Sequence, residues 1–354
     1  METVEVKTGA PYRIEIGRGL LDSLGDKVRA LTKAKKAMIV TDETVYALYF
    51  ERAARSLESV GIEVLEFVIP SGETSKSTGN LIKLWETLAE NALTRSDVIV
   101  ALGGGVVGDL AGFAAATYLR GIKYIQVPTT LLAMTDSSVG GKTAVDLKAG
   151  KNLAGAFYQP CAVVCDPDTL ATLRRETFSD GMAEVIKYAM INNPVIIDKL
   201  FLYTESDSAL LDEIIALCIE DKRDIVSRDE FDRGERALLN FGHTPAHAIE
   251  RLSNYTVTHG SAVAVGMMII SRASAKLGLC NADVPETLEK LLDKFSLPKD
   301  TEFGAEDMAK AALGDKKRSG DRIDLILSYG VGDARICPTK IDELCEIFRK
   351  GTEK

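Results

Sequence analysis

Histidine is nearly absent. The chain has three in 354 residues, and all three, His243, His247 and His259, fall between Arg236 and Gly260. Imidazole chemistry is therefore confined to one stretch. Cysteine offers no second metal centre: Cys161, Cys165, Cys218, Cys280, Cys337 and Cys345 form no Cys-x-x-Cys pair, and most sit inside apolar runs. That usage argues for buried free thiols in a reducing cytoplasm rather than a thiolate zinc site or a disulfide framework. Excess positive charge is also missing. A net charge of −9 argues against non-specific nucleic-acid binding, although a local basic cluster can still take an anionic substrate. Apolar runs are short, the longest covering residues 261–270, too few to span a bilayer. The N-terminus, Met-Glu-Thr-Val-Glu-Val, alternates like a strand and lacks the basic-then-apolar pattern of a signal peptide. The expectation is a cytoplasmic chain with neither a membrane nor a nucleic-acid partner. Low-complexity segments and internal repeats are absent too.

What is present suffices for two domains. Residues 3–6 and 12–16 alternate as strands, and 37–40 is a short buried strand ending at Thr41-Asp42-Glu43. A helix is expected over 45–60, a strand over 63–69, a helix over 80–91 and an apolar strand over 97–102. This alternation predicts a parallel sheet with helices on both faces.

The strand ending at Leu102 runs into Gly103-Gly104-Gly105-Val106-Val107-Gly108-Asp109, and a small-residue helix is expected over 110–118. Glycines allow close backbone approach, and a helix N-terminus offers N–H groups to a pyrophosphate. The spacing is not Gly-x-Gly-x-x-Gly, so a tight turn without a ligand is the alternative. Asp42, at a strand end, suits a ribose hydroxyl or an ordinary helix cap. A strand over 124–127 leads to Pro128-Thr129-Thr130 and then to Asp136-Ser-Ser-Val-Gly140-Gly141-Lys142-Thr143. That stretch has the composition of a phosphate loop without Walker A spacing, so Lys142 is read as an anion ligand or a solvated lysine. Lys151-Asn152 follows, and 162–165 is the last strand before Asp166-Pro167.

The second half turns helical. Glu184 and Lys187 lie three apart in an apolar helix, as a surface pair or with Glu184 as a metal ligand. Helices are expected over 210–225, 261–279, 285–295, 305–313 and 341–349, and a strand over 322–327. The apolar helix over 261–279 should be buried, with Ser261 as its cap and His259 at its mouth. Pro245 suits a first helical turn, which puts His243 before that helix and His247 within it. His243 and His247 are spaced i,i+4, a candidate for zinc or a similar divalent ion that needs a further ligand from elsewhere. The basic run Lys316-Lys317-Arg318 is read as a solvated turn.

Together these motifs resemble the 3-dehydroquinate synthase family of sugar-phosphate cyclases. The matching strings are GGGVVGD (103–109), Pro128-Thr129-Thr130, DSSVGGKTA (136–144), KNLAGAFYQP (151–160), AEVIKY (183–188), NFGHT (240–244) with His247, and His259-Gly260. They run in family order over most of the chain. The resemblance implies a Rossmann-like N-terminal domain over 1–168 and a mainly helical metal- and substrate-binding domain over 169–354, with the active site in the cleft between them. It implies zinc, or another divalent metal such as cobalt, on Glu184, His243 and His259, and so removes His247 from the ligand set. NAD would be contacted by Asp42, Glu73, Lys76, Gly104, Gly105, Val106, Asp109, Thr129, Thr130, Asp136, Lys142, Lys151, Asn152 and Thr172. The substrate pocket would use Lys142, Asn152, Lys222, Arg236, Asn240, His247 and Lys316. Arg120 would reach the neighbouring subunit's site in a homodimer. Asp136, Lys187, Asn240 and His247 would serve catalysis.

The implied substrate is 3-deoxy-D-arabino-heptulosonate 7-phosphate, a carboxylated sugar phosphate. Transient oxidation with NAD, phosphate elimination, reduction, ring opening and an aldol closure give 3-dehydroquinate. Arg236 and Lys222 suit a carboxylate, and Lys142, Asn152, Arg120 and Lys316 a phosphate. The chain departs from the common family pattern at Ser261, where an acid is expected after His259-Gly260. Ala246, Ala144 and Asp146 also depart from it. Competing readings are a cyclase for sedoheptulose 7-phosphate or an amino analogue, a glycerol-dehydrogenase-like metal alcohol dehydrogenase, and a non-catalytic NAD-binding protein.

Overall fold

The structure is a computed structural model that describes residues 1–312, 318–319 and 321–353. Lys316 and Lys317 lie outside the described residues. The chain divides into two compact units, Met1–Leu173 with Lys222–Phe231, and Arg174–Asp221 with Asp232–Lys354.

The first unit is built on β1 (Glu2–Val6), β2 (Tyr12–Ile16), α1 (Leu24–Leu31), β3 (Lys36–Asp42), α2 (Glu43–Val45), α3 (Glu51–Ser59), β4 (Glu63–Ile69), α4 (Thr78–Glu90), β5 (Val98–Gly103), α5 (Gly105–Thr117), β6 (Lys123–Pro128), β7 (Lys142–Leu147), β8 (Gly150–Phe157) and β9 (Ala162–Cys165). Its main sheet has the order β1-β2-β9-β6-β5-β3-β4. Every neighbouring pair is parallel except the edge hairpin β1–β2. Both sheet faces are covered, so the central strands read as continuous apolar runs rather than alternating ones. Along β3 and β5, Ala37, Ile39, Val98, Val100 and Leu102 join one core. Met38, Val40, Ile99 and Ala101 join the other, with Leu81 and Leu84 of α4 and Leu110 and Ala114 of α5. The period-2 side-chain alternation of a strand sorts them.

The stretch read as a phosphate-type loop, 136–143, is a helical turn ending at Ser137 followed by a bend, and it enters a strand pair only at Lys142. β7 and β8 form an antiparallel hairpin, Lys142 opposite Phe157 and Val145 opposite Ala154. Thr143 and Val145 are buried. The glycine signal that suggested a loop is a turn at Gly140 and Gly141, with φ of 93° and 67°. The helix expected to start at Leu110 starts at Gly105, and the glycines inside it serve packing rather than a loop: an added Cβ on Gly108 would meet the Gln126 side chain at 2.7 Å and one on Gly112 the Thr143 side chain at 2.4 Å.

The second unit contains α6 (Arg175–Ile191), α7 (Val195–Leu202), most of α8 (Ser208–Arg228), α9 (His243–Leu252), α10 (His259–Lys276), α11 (Asp283–Lys294), α12 (Ala305–Ala312), a small antiparallel sheet of β10 (Arg318–Ser319), β11 (Arg322–Gly330) and β12 (Asp333–Lys340), and α13 (Leu344–Thr352). As expected for an apolar helix, α10 is buried through most of its length. Two helix starts differ from expectation. His243 is the first residue of α9, with Gly242 as a left-handed N-cap. α10 begins at His259 with Thr258 as N-cap, so Ser261 sits one turn inside rather than capping. β12 was not anticipated, because its mixed sequence hides the alternation that pairing with β11 reveals.

Candidate metal centre and nucleotide crevice

Three helices deliver three donors to one point. α6 carries Glu184, and α9 and α10 start with His243 and His259. Glycine allows the helices this close. A Cβ on Gly266 of α10 would lie 2.0 Å from the Gly242 carbonyl oxygen, and one on Gly260 would lie 2.0 Å from that of Asp180 on α6. Glu184 Oε1 is 3.5 Å from His243 Nε2 and 3.3 Å from His259 Nε2. One donor atom from each residue lies within 4.8 Å of the others. The second Glu184 oxygen accepts a hydrogen bond from Lys187 Nζ. Both side chains are 1% exposed, so the surface-pair alternative is excluded: the pair is buried and sets the carboxylate's orientation.

The ring nitrogens are assigned by their neighbours. His243 Nδ1 donates to the Phe241 carbonyl at 3.1 Å, which leaves Nε2 as the acceptor facing Glu184. Burial, opposed by Glu184, holds the His243 pKa well below the usual histidine range, so the ring is neutral, the form that ligates. His259 Nδ1 lies 3.5 Å from Glu250 Oε1. Burial disfavours charge on His259, but Glu184 and Glu250 together outweigh it and push the pKa up to about 10. Its side chain keeps 34% exposure, which weakens the opposing effect of burial. A site that binds one proton this firmly offers negative potential to a divalent cation. Glu250, 2% exposed, was missed in the sequence; its signal is an acid three residues after His247, on the same side of the helix. His247 stands beside His243 with ring centroids 5.6 Å apart and edge-on. Among the described residues the converging group is Glu184, His243 and His259. In the same unit Arg236 is 1% exposed, and Asn240 Nδ2 donates to the Ala237 carbonyl at 3.1 Å.

In the first unit, β3 and β5 are adjacent, but the chain leaves them in opposite directions, toward β4 and toward β6. Such a switch point is where α/β sheets hold ligands, at the carboxyl ends of the strands. Asp42 ends β3 and Gly103 ends β5. Gly104 is the N-cap of α5 with no side-chain cap. A Cβ on Gly104 would meet Thr130 at 3.1 Å, and one on Gly105 would meet Ser137 Oγ at 3.1 Å. Val106 follows in the first turn. The cradle thus presents backbone N–H groups to an anion. Asp42 does cap a helix: its Oδ1 accepts from Thr44 N at 2.9 Å, Val45 N at 3.2 Å and Ser71 Oγ at 2.8 Å.

Beside the cradle, buried Lys76 is ringed by carboxylates. Its Nζ is 2.8 Å from Glu73 Oε1, 3.3 Å from Asp109 Oδ2 and 4.0 Å from Asp146 Oδ1. Burial alone would lower the Lys76 pKa, but Asp109, Glu73 and Asp146 raise it above the usual lysine range. Burial pushes Asp109 up to about 6 against the pull of Lys76. The sequence named three members of this cluster and set Asp146 aside as a departure. Thr129 is buried, and Thr130 Oγ1 accepts from Ala133 N at 3.2 Å. Thr172 Oγ1 lies 2.6 Å from the Tyr49 hydroxyl. Lys222 Nζ pairs with Asp136 Oδ1 at 2.9 Å. Lys142 and Asn152 are exposed on the hairpin, with Lys151 partly buried between them in sequence. Arg120 is exposed and holds a left-handed backbone, φ 62°.

A parallel sheet with an anion cradle at its switch point, followed by a helical unit with a two-imidazole, one-carboxylate group, is the architecture of the sugar-phosphate cyclases. The comparisons narrow it. The family model described as 3-dehydroquinate synthase N-terminal matches residues 66–180, and that described as 3-dehydroquinate synthase C-terminal matches 181–318. A 3-dehydroquinate synthase of Clostridium acetobutylicum is 44% identical over 355 residues, covering 99% of each chain. A 2-deoxy-scyllo-inosose synthase, solved with carbaglucose-6-phosphate, NAD+ and Co2+, superposes with a TM-score of 0.86 at 26% identity, covering 99% of this chain and 100% of that one. The 2-epi-5-epi-valiolone synthase of Streptomyces hygroscopicus subsp. jinggangensis, with NAD+ and Zn2+ bound, gives 0.86 at 25% identity over 98% and 97%. The chain belongs to the 3-dehydroquinate synthase family.

Proposed function

We infer that the metal centre and the nucleotide crevice serve one reaction, the family's conversion of 3-deoxy-D-arabino-heptulosonate 7-phosphate to 3-dehydroquinate and phosphate. The observation that carries this is the Glu184 oxygen facing two imidazole Nε2 atoms at 3.5 and 3.3 Å. The donor set fits zinc or cobalt, because two imidazole nitrogens, that of His259 once a metal displaces its proton, and one carboxylate leave coordination positions open for substrate oxygens. The glycine cradle fits a dinucleotide pyrophosphate. When bound, NAD supplies a reversible hydride acceptor and the metal a Lewis acid for the substrate's alcohol and ketone.

The chain's own residues position and neutralise. Residues 1–168 form the NAD-binding part and 169–354 the metal- and substrate-binding part. Glu184, His243 and His259 hold the metal. Lys187 neutralises the far Glu184 oxygen and fixes its rotamer. The cradle from Gly104 to Val106 holds phosphate, with Asp42, Glu73, Lys76, Asp109, Thr129, Thr130, Asp136, Lys151 and Thr172 around the nucleotide. Arg236, buried and permanently charged, clamps the substrate carboxylate as a bidentate fork. Lys222, paired with Asp136, assists there. Lys142, Asn152 and Lys316 bind the phosphate. His247 and Asn240 hydrogen-bond the substrate hydroxyls and move protons. Phosphate elimination needs no large protein base, because the leaving phosphate's own oxygen accepts the carbon 6 proton. The buried guanidinium favours a carboxylated substrate over sedoheptulose 7-phosphate, since its planar fork matches a carboxylate with two parallel hydrogen bonds. Arg120, exposed at a strained turn, extends to a second subunit's site in a homodimer working in the cytoplasm.

The test is metal content. His259→Ala should abolish zinc retention and turnover while NAD binding persists. A His259→Ala protein with full zinc and full activity sinks the assignment.

A further inference from the structure

The first turn of α10 carries His259, and its cap comes from another helix. Thr258 is the N-cap, but its side chain accepts no hydrogen bond from the turn. Its hydroxyl instead donates to Asp180 Oδ1 of α6 and lies 2.8 Å from Ser261 Oγ. Asp180 Oδ1 accepts the Ser261 N–H at 2.9 Å. That is the N3 amide, which an N-cap side chain ordinarily satisfies. The first turn of α10 holds no acid of its own, and position 261, where an N3 glutamate would close a capping box, is serine. Asp180 supplies the missing negative charge at the positive end of the helix dipole.

The same aspartate lies four residues before Glu184, so both carboxylates share one face of α6. α6 therefore grips the start of α10 at two points a helical turn apart. Asp180 holds the Ser261 amide, and Glu184 Oε1 meets His259 Nε2 at 3.3 Å. The approach needs glycine between them, because a Cβ on Gly260 would lie 2.0 Å from the Asp180 carbonyl oxygen and 2.7 Å from its Cγ.

We propose that Asp180 is a positioning residue for the metal ligand His259, acting as a cross-helix cap that fixes the first turn of α10. The proposal rests on Glu184, His243 and His259 being the metal ligands. Loss of the cap frays the turn and frees the His259 ring. Groups that orient metal ligands typically change affinity about 10–100-fold when removed.

The experiment is zinc competition against a chromophoric chelator on the full-length chain, with circular dichroism to verify folding. Wild type, Asp180→Ala, Asp180→Asn and the double variant Asp180→Ala/Ser261→Glu are compared. Asp180→Ala should weaken zinc binding about tenfold or more. Asp180→Asn should stay within about threefold of wild type, because its amide oxygen still accepts the Ser261 N–H. The double variant should recover, because a glutamate at N3 restores a cap from within the helix. Wild type that binds no zinc overturns the metal reading itself. Wild type and Asp180→Ala binding zinc equally, or a double variant as weak as the single one, overturns this inference alone. If Asp180→Ala does not fold, the double variant decides: folding with wild-type affinity supports the proposal, and failure to fold overturns it.

Discussion

Replacing Lys187 by methionine should destabilise the helical unit strongly without metal and weakly with it. The Lys187–Glu184 pair is 1% exposed on both sides. A contact pair in an effective dielectric of about 20 carries about 5 kcal/mol, and removing one partner of a buried pair costs about 3–5 kcal/mol. His259, with its pKa at about 10, lends Glu184 a second positive charge, so the expectation lies at the lower end, about 3 kcal/mol. With zinc present, the cation neutralises Glu184 and the cost falls to about 1 kcal/mol. The cycle then requires zinc to bind the variant about 2 kcal/mol more tightly, roughly 30-fold, even as turnover drops. Two units need not unfold together, so the assay is native-state hydrogen exchange of α6 amides, with EDTA and with zinc. A loss below about 1 kcal/mol in EDTA, or the same loss in both conditions, would refute the reasoning.

Asp109 gives the pH dependence. Its carboxyl is raised from 3.8 to about 6, so its stabilising contribution is complete below 3.8 and lost as pH rises through 6. With residual exposure and the Lys76 pair considered, wild type should lose about 1–2 kcal/mol between pH 4 and 7 relative to Asp109→Asn, read from denaturation midpoints; parallel curves would contradict it. Gly260→Ala places a Cβ against the Asp180 carbonyl and should cost about 2–3 kcal/mol along with zinc stoichiometry by metal analysis; a fully loaded variant of native stability would show that the helices can part. Arg236→Ala should lower kcat/KM for the carboxylated substrate by roughly two orders of magnitude, as expected for a buried charge losing its partner, with NAD affinity held; equal losses in both would make Arg236 structural.

The first unit was legible because parallel strands buried on both faces read as apolar runs, and Gly103–Gly105 marks a strand passing into a helix. The β7–β8 hairpin was not, since Gly140 and Gly141 signal a turn without showing that Thr143 and Val145 pair behind it. In the metal centre, spacing singled out His243 and His247, which are neighbours on α9. The donor that faces Glu184 beside His243 is His259, brought by a different helix. Only the packing of α6, α9 and α10 shows that convergence, and the family motifs named it without explaining it. The Glu250 contact to His259 and the Asp180 cap depend on helix-to-helix register, which local patterning does not encode. Helix starts shifted where glycine or a cross-helix partner did the capping, as at Gly242 and Thr258.

The most direct test is phosphate release from 3-deoxy-D-arabino-heptulosonate 7-phosphate with trace NAD, before chelation, after it, and after zinc is restored, with sedoheptulose 7-phosphate alongside. Many turnovers per NAD on the carboxylated substrate alone, abolished by chelation and recovered with zinc, are the predicted result. Phosphate release indifferent to chelation, turnover confined to sedoheptulose 7-phosphate, or net NADH without phosphate would contradict it.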